Sequence, residues 1–315
     1  MMTTSTRNSD ASALDRSTSK QGTAPQPTRV GIVGLGRMGT AFARNLLDDG
    51  YETVIFSKCG NNVAALEAAG AKAAMKWIDL AHCEIVISMV PDDEATDSVS
   101  ISLANVLDTH AIHISMSTIS PDASRRASER HSRLGQGYVA APVLGNPDLA
   151  AARKLYILAA GPDEYVERSL PLLDRLGQRI FNVGQNPELA NTFKLAGNAL
   201  TAATLQSMGE VLAFLHKAGV DPKVAFSVFT ESLFDGKVHK AYGRKIVEQR
   251  YSPPGMTLPL AVKDLRLALA EAEQLSVPMP VASVVRDRLV AAVARGWEDL
   301  DWSALGKLAE FSAGI

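Results

Sequence analysis

Two patterns of hydrophobic and polar positions divide the chain. Before about Gln185, short apolar runs alternate with segments of helical periodicity, and runs such as Val30–Val33, Glu84–Asp93 and Ala111–Pro121 lead into turns. Short continuous apolar runs bounded by turns are typical of buried parallel strands. After Gln185 the strand patterns stop, and amphipathic helical patterns follow one another. The sequence therefore predicts an α/β domain followed by an all-α domain.

The all-α part begins with one long helical pattern, Glu188–Lys217, which Gly219 ends. Asp221-Pro222 then matches an N-cap followed by a first-turn proline. Further helices are predicted at Pro222–Leu233, Lys237–Gln249, Leu258–Leu275 and Val281–Gly296. We therefore place the two domains at residues 29–187 and 188–315, joined by the long interdomain helix.

The first 28 residues differ from the rest of the chain. They are rich in Ser and Thr and nearly free of periodic apolar residues, which is typical of a disordered tail. A transit peptide is the alternative, but Asp10, Asp15 and the scarcity of arginine argue against it. A secretory signal is excluded because the segment has no apolar core.

A glycine-rich loop stands between the first predicted strand and the first predicted helix. Its residues are Gly34, Leu35, Gly36, Arg37, Met38 and Gly39. The helix that follows carries Phe42 and Leu46 on one face, and "TVIF" then begins a second strand. This order is the dinucleotide-binding unit of a Rossmann-type doubly wound sheet, whose glycines allow a tight turn, approach of the pyrophosphate and close helix packing. We predict a bound nicotinamide dinucleotide, with a glycine turn that binds no ligand as the alternative.

The end of the second strand bears on the choice of nicotinamide cofactor. Sites that prefer NAD place an Asp or Glu about 20 residues beyond the loop, where it holds the ribose hydroxyls. This chain has Ser57 and Lys58 there, with no acid nearby. A hydroxyl and an ammonium suit a 2′-phosphate, so we predict NADP, with NAD as the second choice. An ordinary solvated Lys58 is the alternative interpretation.

Two further strands end in polar turns. Val90 and Pro91 follow one of them, and Ser117 and Thr118 follow the other. Because ligands of open α/β sheets bind beyond the carboxyl ends of the strands, we expect these four residues to line the cofactor. Ordinary turn chemistry is the alternative for each of them.

Composition and charge exclude several classes of function. The net charge of −2 gives no basis for binding nucleic acid or an anionic membrane. No apolar run approaches the ~20 residues that span a bilayer. Cys59 and Cys83 form neither a disulfide framework nor a metal-ligand cluster, and the six histidines lack metal-ligand spacing, so we expect no metal. A cytoplasmic enzyme that acts on a small molecule is expected.

The segment "ANTFKLAGNAL" carries three polar residues in an otherwise apolar helix. Asn191, Lys194 and Asn198 fall on one stripe about 60° wide at helical spacing. Hydride delivered to a carbonyl carbon leaves negative charge on oxygen, which an ammonium is able to stabilise and protonate. Asn198 lies one turn from Lys194 and is able to bind the same group. The alternative is a lysine that extends into solvent from an interface helix.

The motifs "GIVGLGRMG", "ISMVPDD", "AAPVLG" and "KLAGN", with "VKDLRLAL" as a weaker fifth, resemble those of the β-hydroxyacid dehydrogenase family. The likeness covers residues 29–308, and the family includes 3-hydroxyisobutyrate dehydrogenase and tartronate semialdehyde reductase. The resemblance implies reversible hydride transfer between a nicotinamide and a small 3-hydroxy acid or its aldehyde. It also implies that Lys194 is the acid and base and that Asn198 orients the substrate. Lys263 matches a family lysine near the active site and is predicted to contact the cofactor, with a surface ion pair as the alternative.

The substrate loop departs from the family pattern D-A-P-V-S-G-G. Ala140, Leu144 and Asn146 replace its Asp, Ser and Gly, and Arg153 stands at a later glycine. Apolar Leu144 favours a larger or less polar substrate, although Asn146 and Arg153 are still able to hold an anion. The predicted substrate contacts are Ser117, Leu144, Gly145, Asn146, Lys194 and Asn198, with Ser117 also a catalytic candidate.

Two other functions stay open. Imine reductases share the architecture but usually have Asp or Tyr where this chain has Lys194, and some relatives that lack the lysine are non-catalytic binding modules. The apolar surface of the long helix and of "LVAAVARG" exceeds what a small helical domain covers, so a homodimer or tetramer is expected.

Overall fold

The computed structural model describes residues 29–60 and 62–315, so the predicted disordered tail lies outside the described residues. The chain forms two compact units, the first ending at Asn191 and the second running from Thr192 to Ile315. The first is an α/β unit built on one sheet, and the second is helical. The predicted fold class is confirmed.

The sheet of the first unit is mainly parallel. Its strands are β1 (Arg29–Val33), β2 (Glu52–Phe56), β3 (Lys72–Ala73), β4 (Ile85–Ser88), β5 (Ile112–Ser115), β6 (Gly137–Ala140), β7 (Val143–Leu144), β8 (Leu155–Ala160) and β9 (Gly177–Gly184). The order is β3-β2-β1-β4-β5-β6-β8-β7, with β9 paired to β8. The strands from β3 to β6 in this order are parallel, whereas β8 is antiparallel to β6 and β7.

Helices cover both faces of this sheet. They are α1 (Arg37–Asp48), α2 (Val63–Glu67), α3 (Asp93–Ala104), α4 (Pro121–Ser132), α5 (Pro147–Ala151) and α6 (Asp163–Leu173), with a 3₁₀ turn at Trp77–Leu80. Phe42 of α1 packs with Ile32 and Ile87 on one face. Val86 and Leu103 belong to a separate apolar cluster on the other. Burial on both faces explains why the central strands read as continuous apolar runs.

The second unit contains most of α7 (Glu188–Lys217) and five shorter helices. These are α8 (Pro222–Thr230), α9 (Lys237–Val247), α10 (Leu258–Gln274), α11 (Pro280–Val293) and α12 (Leu305–Ala313), with a 3₁₀ turn at Trp302–Ala304. The predicted bounds of α7 are confirmed, and Gly219 follows it with a φ of 88°. Asp221 caps α8 by accepting a hydrogen bond from the Lys223 amide at 2.8 Å. Helix α12 is missing from the sequence prediction.

Candidate active site

The carboxyl ends of four parallel strands meet at one edge of the sheet in the first unit. Val33 of β1 pairs with both Phe56 and Ser88, and Ser88 pairs with Ser115. The loops that follow these residues therefore start at the same level. The predicted cofactor contacts of the first unit lie in the loops after β1, β2, β4 and β5. This register therefore places them at one edge of the sheet.

The glycine turn after β1 leaves no room for larger residues at two positions. A Cβ at Gly34 would overlap the Met89 carbonyl, and Gly34 has a φ of +91°. A Cβ at Gly39 would overlap the Gly34 carbonyl, so α1 packs directly on the turn. At Gly36, by contrast, an added Cβ meets no atom of the described residues within 4 Å. The turn is therefore tight on its protein side and open at the N-terminus of α1, which fits a pyrophosphate.

The segment after β2 lies beside this turn. Ser57 is half-buried and Lys58 is exposed, so the ammonium is accessible to a ligand. Asn62 has a φ of 61° and donates from Nδ2 to the Leu35 carbonyl at 2.7 Å. This bond fixes the loop after β2 against the glycine turn. Sequence reasoning missed Asn62, because its contact joins two loops that are far apart along the chain.

The loops after β4 and β5 are held together by side-chain hydrogen bonds. Ser117 is fully buried, and its Oγ accepts from the Val90 amide at 2.8 Å. Asp93 accepts from both the amide and the hydroxyl of Ser120, at 2.8 and 2.5 Å. Val90 and Thr118 are half-buried, and Pro91 is exposed. Ser117 thus has a structural contact, while its hydroxyl hydrogen is left to donate to another group.

The candidate substrate loop follows β6 and β7. Leu144 is half-buried, Gly145 has a φ of 149°, and the Asn146 side chain caps α5 by accepting from the Leu149 amide at 2.9 Å. Arg153 donates to Asp49 at 2.6 Å and to the Asn45 carbonyl at 2.9 Å. The expectation that Arg153 holds a substrate anion is therefore unsupported, because its guanidinium ties α5 to the end of α1.

The polar stripe of α7 is buried rather than solvated. The exposed fractions are 0% for Asn191, 8% for Lys194 and 6% for Asn198, whereas neighbouring Phe193 is 54% exposed. Burial removes the interpretation of Lys194 as a lysine that extends into solvent. An ammonium in such a position requires polar partners.

Those partners form a chain of hydrogen bonds within the second unit. Lys194 Nζ donates to Asn198 Oδ1 at 2.9 Å, and Asn198 Nδ2 donates to Asp264 Oδ2 at 2.6 Å. The other oxygen of Asp264 lies 3.1 Å from Lys263 Nζ. Asp264 is 1% exposed, so a buried carboxylate supports the asparagine that holds the lysine. Asn198 thus uses its carbonyl oxygen and one N–H within this chain of bonds, which leaves its second N–H for the predicted substrate contact.

The environment of Lys194 lowers the pKa of its ammonium to about 8. Burial is the largest cause, the Asp264 carboxylate opposes it, and nearby Lys263 lowers the pKa further. A group with this pKa exchanges a proton readily near neutral pH. The sequence analysis did not predict Asp264 as a site residue. The available signal was its position next to Lys263 in the "VKDL" motif.

Two observations concern other kinds of site. Across residues 29–60 and 62–315, no cluster of three or more His, Cys, Asp or Glu side chains is arranged to hold a metal ion. Within the same ranges, no helix has the length and apolar character that crossing a membrane requires.

Two protein-family models match the chain. Residues 29–184 match the NAD-binding domain of 6-phosphogluconate dehydrogenase. Residues 189–309 match the NAD-binding domain of NADP-dependent 3-hydroxyisobutyrate dehydrogenase. Together these matches account for nearly all the described residues.

Named relatives share the whole length of these two regions. An uncharacterised oxidoreductase, YfjR, of Bacillus subtilis is 36% identical over 89% of this chain and 99% of its own. Glyoxylate/succinic semialdehyde reductase 1 of Arabidopsis thaliana is 30% identical over 90% of this chain and 99% of its own. The crystal structure of 3-hydroxyisobutyrate dehydrogenase from Salmonella typhimurium superposes with a TM-score of 0.80, at 26% identity, over 89% of this chain and 99% of that one.

Proposed function

The chain belongs to the β-hydroxyacid dehydrogenase family of NAD(P)-dependent oxidoreductases that act on CH–OH groups, and from this premise we propose its specific reaction. The reaction is hydride transfer between NADP(H) and a small aldehyde or keto acid and its hydroxy acid, with Lys194 as general acid and base. Residues 29–187 bind the cofactor, and residues 188–315 provide the substrate and dimerisation domain.

The residues at the carboxyl edge of the sheet fit a dinucleotide. The open face of Gly36 at the start of α1 receives the pyrophosphate, and the loops at Val90-Pro91 and Ser117-Thr118 border the nicotinamide side. Exposed Lys58, together with Ser57, provides a cation and a hydroxyl for a 2′-phosphate. When bound, the nicotinamide supplies or accepts the hydride.

Lys194 moves the proton that accompanies the hydride. In reduction its ammonium donates a proton from Nζ to the carbonyl oxygen, and in oxidation the neutral amine accepts the hydroxyl proton. A pKa of about 8 gives access to both forms near neutral pH. Asn198 and Asp264 hold the Nζ atom in place, since the amide is fixed at both of its ends.

The substrate class is a small aldehyde or keto acid that carries a carboxylate. The name of the Arabidopsis thaliana reductase, with glyoxylate and succinic semialdehyde as its substrates, supports this class. Leu144, where the family pattern has Ser, makes the loop less polar and favours the longer members of the class. Asn146 contributes to this loop mainly through the cap that it forms on α5.

The buried chain from Lys194 through Asn198 to Asp264 carries this proposal. The test is NADPH oxidation with glyoxylate, succinic semialdehyde, larger aldehyde acids and imines. Replacing Lys194 with Met should lower kcat for carbonyl reduction at least about a hundredfold, because the proton donor is lost. The Kd of NADPH should stay within about twofold of the wild-type value. The free energy of unfolding at pH 7 should be at least as large as in the wild type, since the variant no longer buries an ammonium.

Lys217→Met is the matched control, because Lys217 lies on the same helix with an exposed side chain that bonds to the Ala313 carbonyl. It should keep full activity. Undiminished turnover in Lys194→Met contradicts the proton-transfer role. Turnover of imines alone would favour the imine reductase alternative, and NADPH binding without any turnover would favour a non-catalytic module.

We also propose that the protein forms a homodimer or a larger assembly. Phe193, Leu200, Val211 and Phe214 lie along one side of α7, and the exposed fractions of Leu200 and Phe214 are 71% and 70%. Such an exposed apolar stripe is typical of a surface that another protein chain covers. A monomer in light scattering at micromolar concentration contradicts this proposal.

A further inference from the structure

The first unit contains a buried chain of polar side chains that the proposed chemistry does not use. Ser88 Oγ lies 2.8 Å from His113 Nε2, and His113 Nδ1 lies 2.9 Å from His131 Nε2. His131 Nδ1 lies 2.7 Å from Gln136 Oε1. All four side chains are buried, with exposed fractions of 0% except for Gln136 at 3%.

The direction of every hydrogen bond in this chain is determined from the Gln136 end. Gln136 Nε2 donates to the Ala104 and Leu107 carbonyls, at 3.1 and 2.8 Å, so its Oε1 accepts from His131 Nδ1. A neutral His131 then accepts at Nε2 from His113 Nδ1. A neutral His113 accepts at Nε2 from the Ser88 hydroxyl. The Ser88 hydrogen is thereby committed to His113.

Both histidines are neutral at ordinary pH. Burial lowers the pKa of His131 to about 4, against the raising effect of its bond to Gln136, while nearby Arg130 lowers it further. Burial also lowers the pKa of His113 well below 6.5, and His131 and Arg130 add to this. The Arg130 charge is itself paired with Asp97, and the Tyr138 ring packs against both imidazoles.

The chain of bonds connects the strand before the Met89–Pro91 loop to the C-terminal end of the helix that follows the loop. Ser88 is the last residue of β4, and Met89, which follows it, packs directly against Gly34 of the glycine turn. The Ala104 carbonyl ends α3, the helix that begins just after Val90 and Pro91. One set of bonds therefore fixes the strand before the loop and the helix after it.

We propose that Ser88, His113, His131 and Gln136 are positioning residues that hold the Met89–Pro91 loop in the geometry required for binding the nicotinamide cofactor. The inference depends on the proposed function, since it assumes that this loop borders the cofactor. None of the four side chains needs to touch the cofactor, because they act through the backbone of the loop. Breaking the chain should weaken cofactor binding even in a protein that stays folded.

The test is the Kd of NADPH and of NADH, measured by fluorescence titration on the full chain without substrate. Ser88→Ala removes the hydroxyl nearest the loop, and His131→Phe removes both bonding nitrogens. Each should raise the Kd about fivefold, because each breaks the chain of bonds that holds the loop. His131→Gln keeps one donor and one acceptor, so it should restore the Kd to within about twofold of the wild-type value.

Ser169→Ala is the matched control, because Ser169 is fully buried and bonds to the Tyr165 carbonyl of its own helix. It should leave the Kd unchanged. If His131→Phe does not fold, Ser88→Ala decides alone. A wild-type Kd in folded Ser88→Ala overturns the inference and leaves the proposed function standing. A wild-type protein that binds neither nucleotide contradicts the proposed function itself.

Discussion

Each unit of the molecule buries a basic side chain in a chain of hydrogen bonds, but the two chains end on different groups. In the first unit, the bonds of His131 end on the neutral amide of Gln136. In the second, those of Lys194 pass through Asn198 to the carboxylate of Asp264. Burial is the largest cause of the lowered pKa in both, from 6.5 to about 4 for His131 and from 10.5 to about 8 for Lys194.

A drop of similar size has opposite consequences at neutral pH. It takes His131 out of the physiological range, so that this residue stays neutral and its bonds keep one direction. It brings Lys194 into that range, so that this residue is able to gain and lose a proton during turnover. The same physical effect therefore suits one base to holding a loop and the other to proton transfer.

The largest expected effect is on acid stability. The folded protein keeps His131 neutral down to about pH 4, whereas the unfolded chain binds a proton below about 6.5. Above pH 6.5 the residue contributes no pH dependence, and between 6.5 and 4 the unfolded state gains protons first, so stability falls as the pH falls. This loss is about 3 kcal/mol at pH 4. Urea unfolding of His131→Gln should show that much less destabilisation between pH 7 and 4.

His82→Gln is the control, because the His82 side chain is 77% exposed. It should follow the wild-type stability curve. The remaining pH dependence in His131→Gln belongs in part to His113, whose pKa is also lowered by burial. Parallel curves for wild type and His131→Gln would show that the imidazole is not held neutral, and the contrast with Lys194 would then fail.

The next effect concerns the Asp264 carboxylate, which ends the chain of hydrogen bonds in the second unit. Asp264→Asn removes a charge that raises the pKa of Lys194, leaving burial and Lys263, which both lower it. It also replaces a charged acceptor of the Asn198 amide. We expect kcat for reduction at pH 7 to fall about tenfold to thirtyfold, or ~1.4–2 kcal/mol. The pH above which reduction slows should also move to a value below about 8.

Asp287→Asn is a suitable control, because Asp287 is an exposed residue of α11 that pairs with Arg286. It should leave both kcat and the pH profile unchanged. A drop in kcat with an unmoved pH profile would mean that Asp264 only orients Asn198. In that case the charge at the end of the chain would not set the protonation of Lys194.

The glycine turn is easier to predict from the sequence than the buried chains of hydrogen bonds, for a steric reason. The glycine turn is specified largely by neighbours in sequence, since Gly39 must pack on the Gly34 carbonyl five residues earlier. Strand, loop and helix therefore appear in the sequence in the order in which they pack. The long helix α7 was equally readable, because periodicity and Gly219 define it locally.

The buried chains of hydrogen bonds were only partly predictable from the sequence, because their residues come into contact through the tertiary fold. Lys194 and Asn198 are one helical turn apart, and both were predicted. Asp264 lies 66 residues beyond Asn198, and local spacing carries no information on that contact. Arg153 shows the converse case, since the guanidinium of a residue in a substrate-loop motif is bonded to Asp49, 104 residues earlier.

The smallest expected effect is that of Lys58 on the Kd of NADPH, since this lysine is exposed whereas Lys194 is buried. A solvated ammonium that binds a 2′-phosphate contributes a modest, salt-screened attraction. Lys58→Ala should therefore raise the Kd of NADPH about fivefold, or ~1 kcal/mol, while the Kd of NADH stays unchanged. The difference should shrink as NaCl is raised from about 0.05 to 0.5 M, because the Debye length falls well below 10 Å.

Lys72→Ala provides the matched control for this prediction. Lys72 is also an exposed lysine of the first unit, but it pairs at 2.8 Å with Glu52, the first residue of β2, at the opposite end of the strand from Lys58. Its loss should alter neither Kd. Equal weakening of NADPH and NADH by Lys58→Ala would assign the lysine to the general charge of the site rather than to the 2′-phosphate. The preference for NADP would then need another residue of the loop after β2 to account for it.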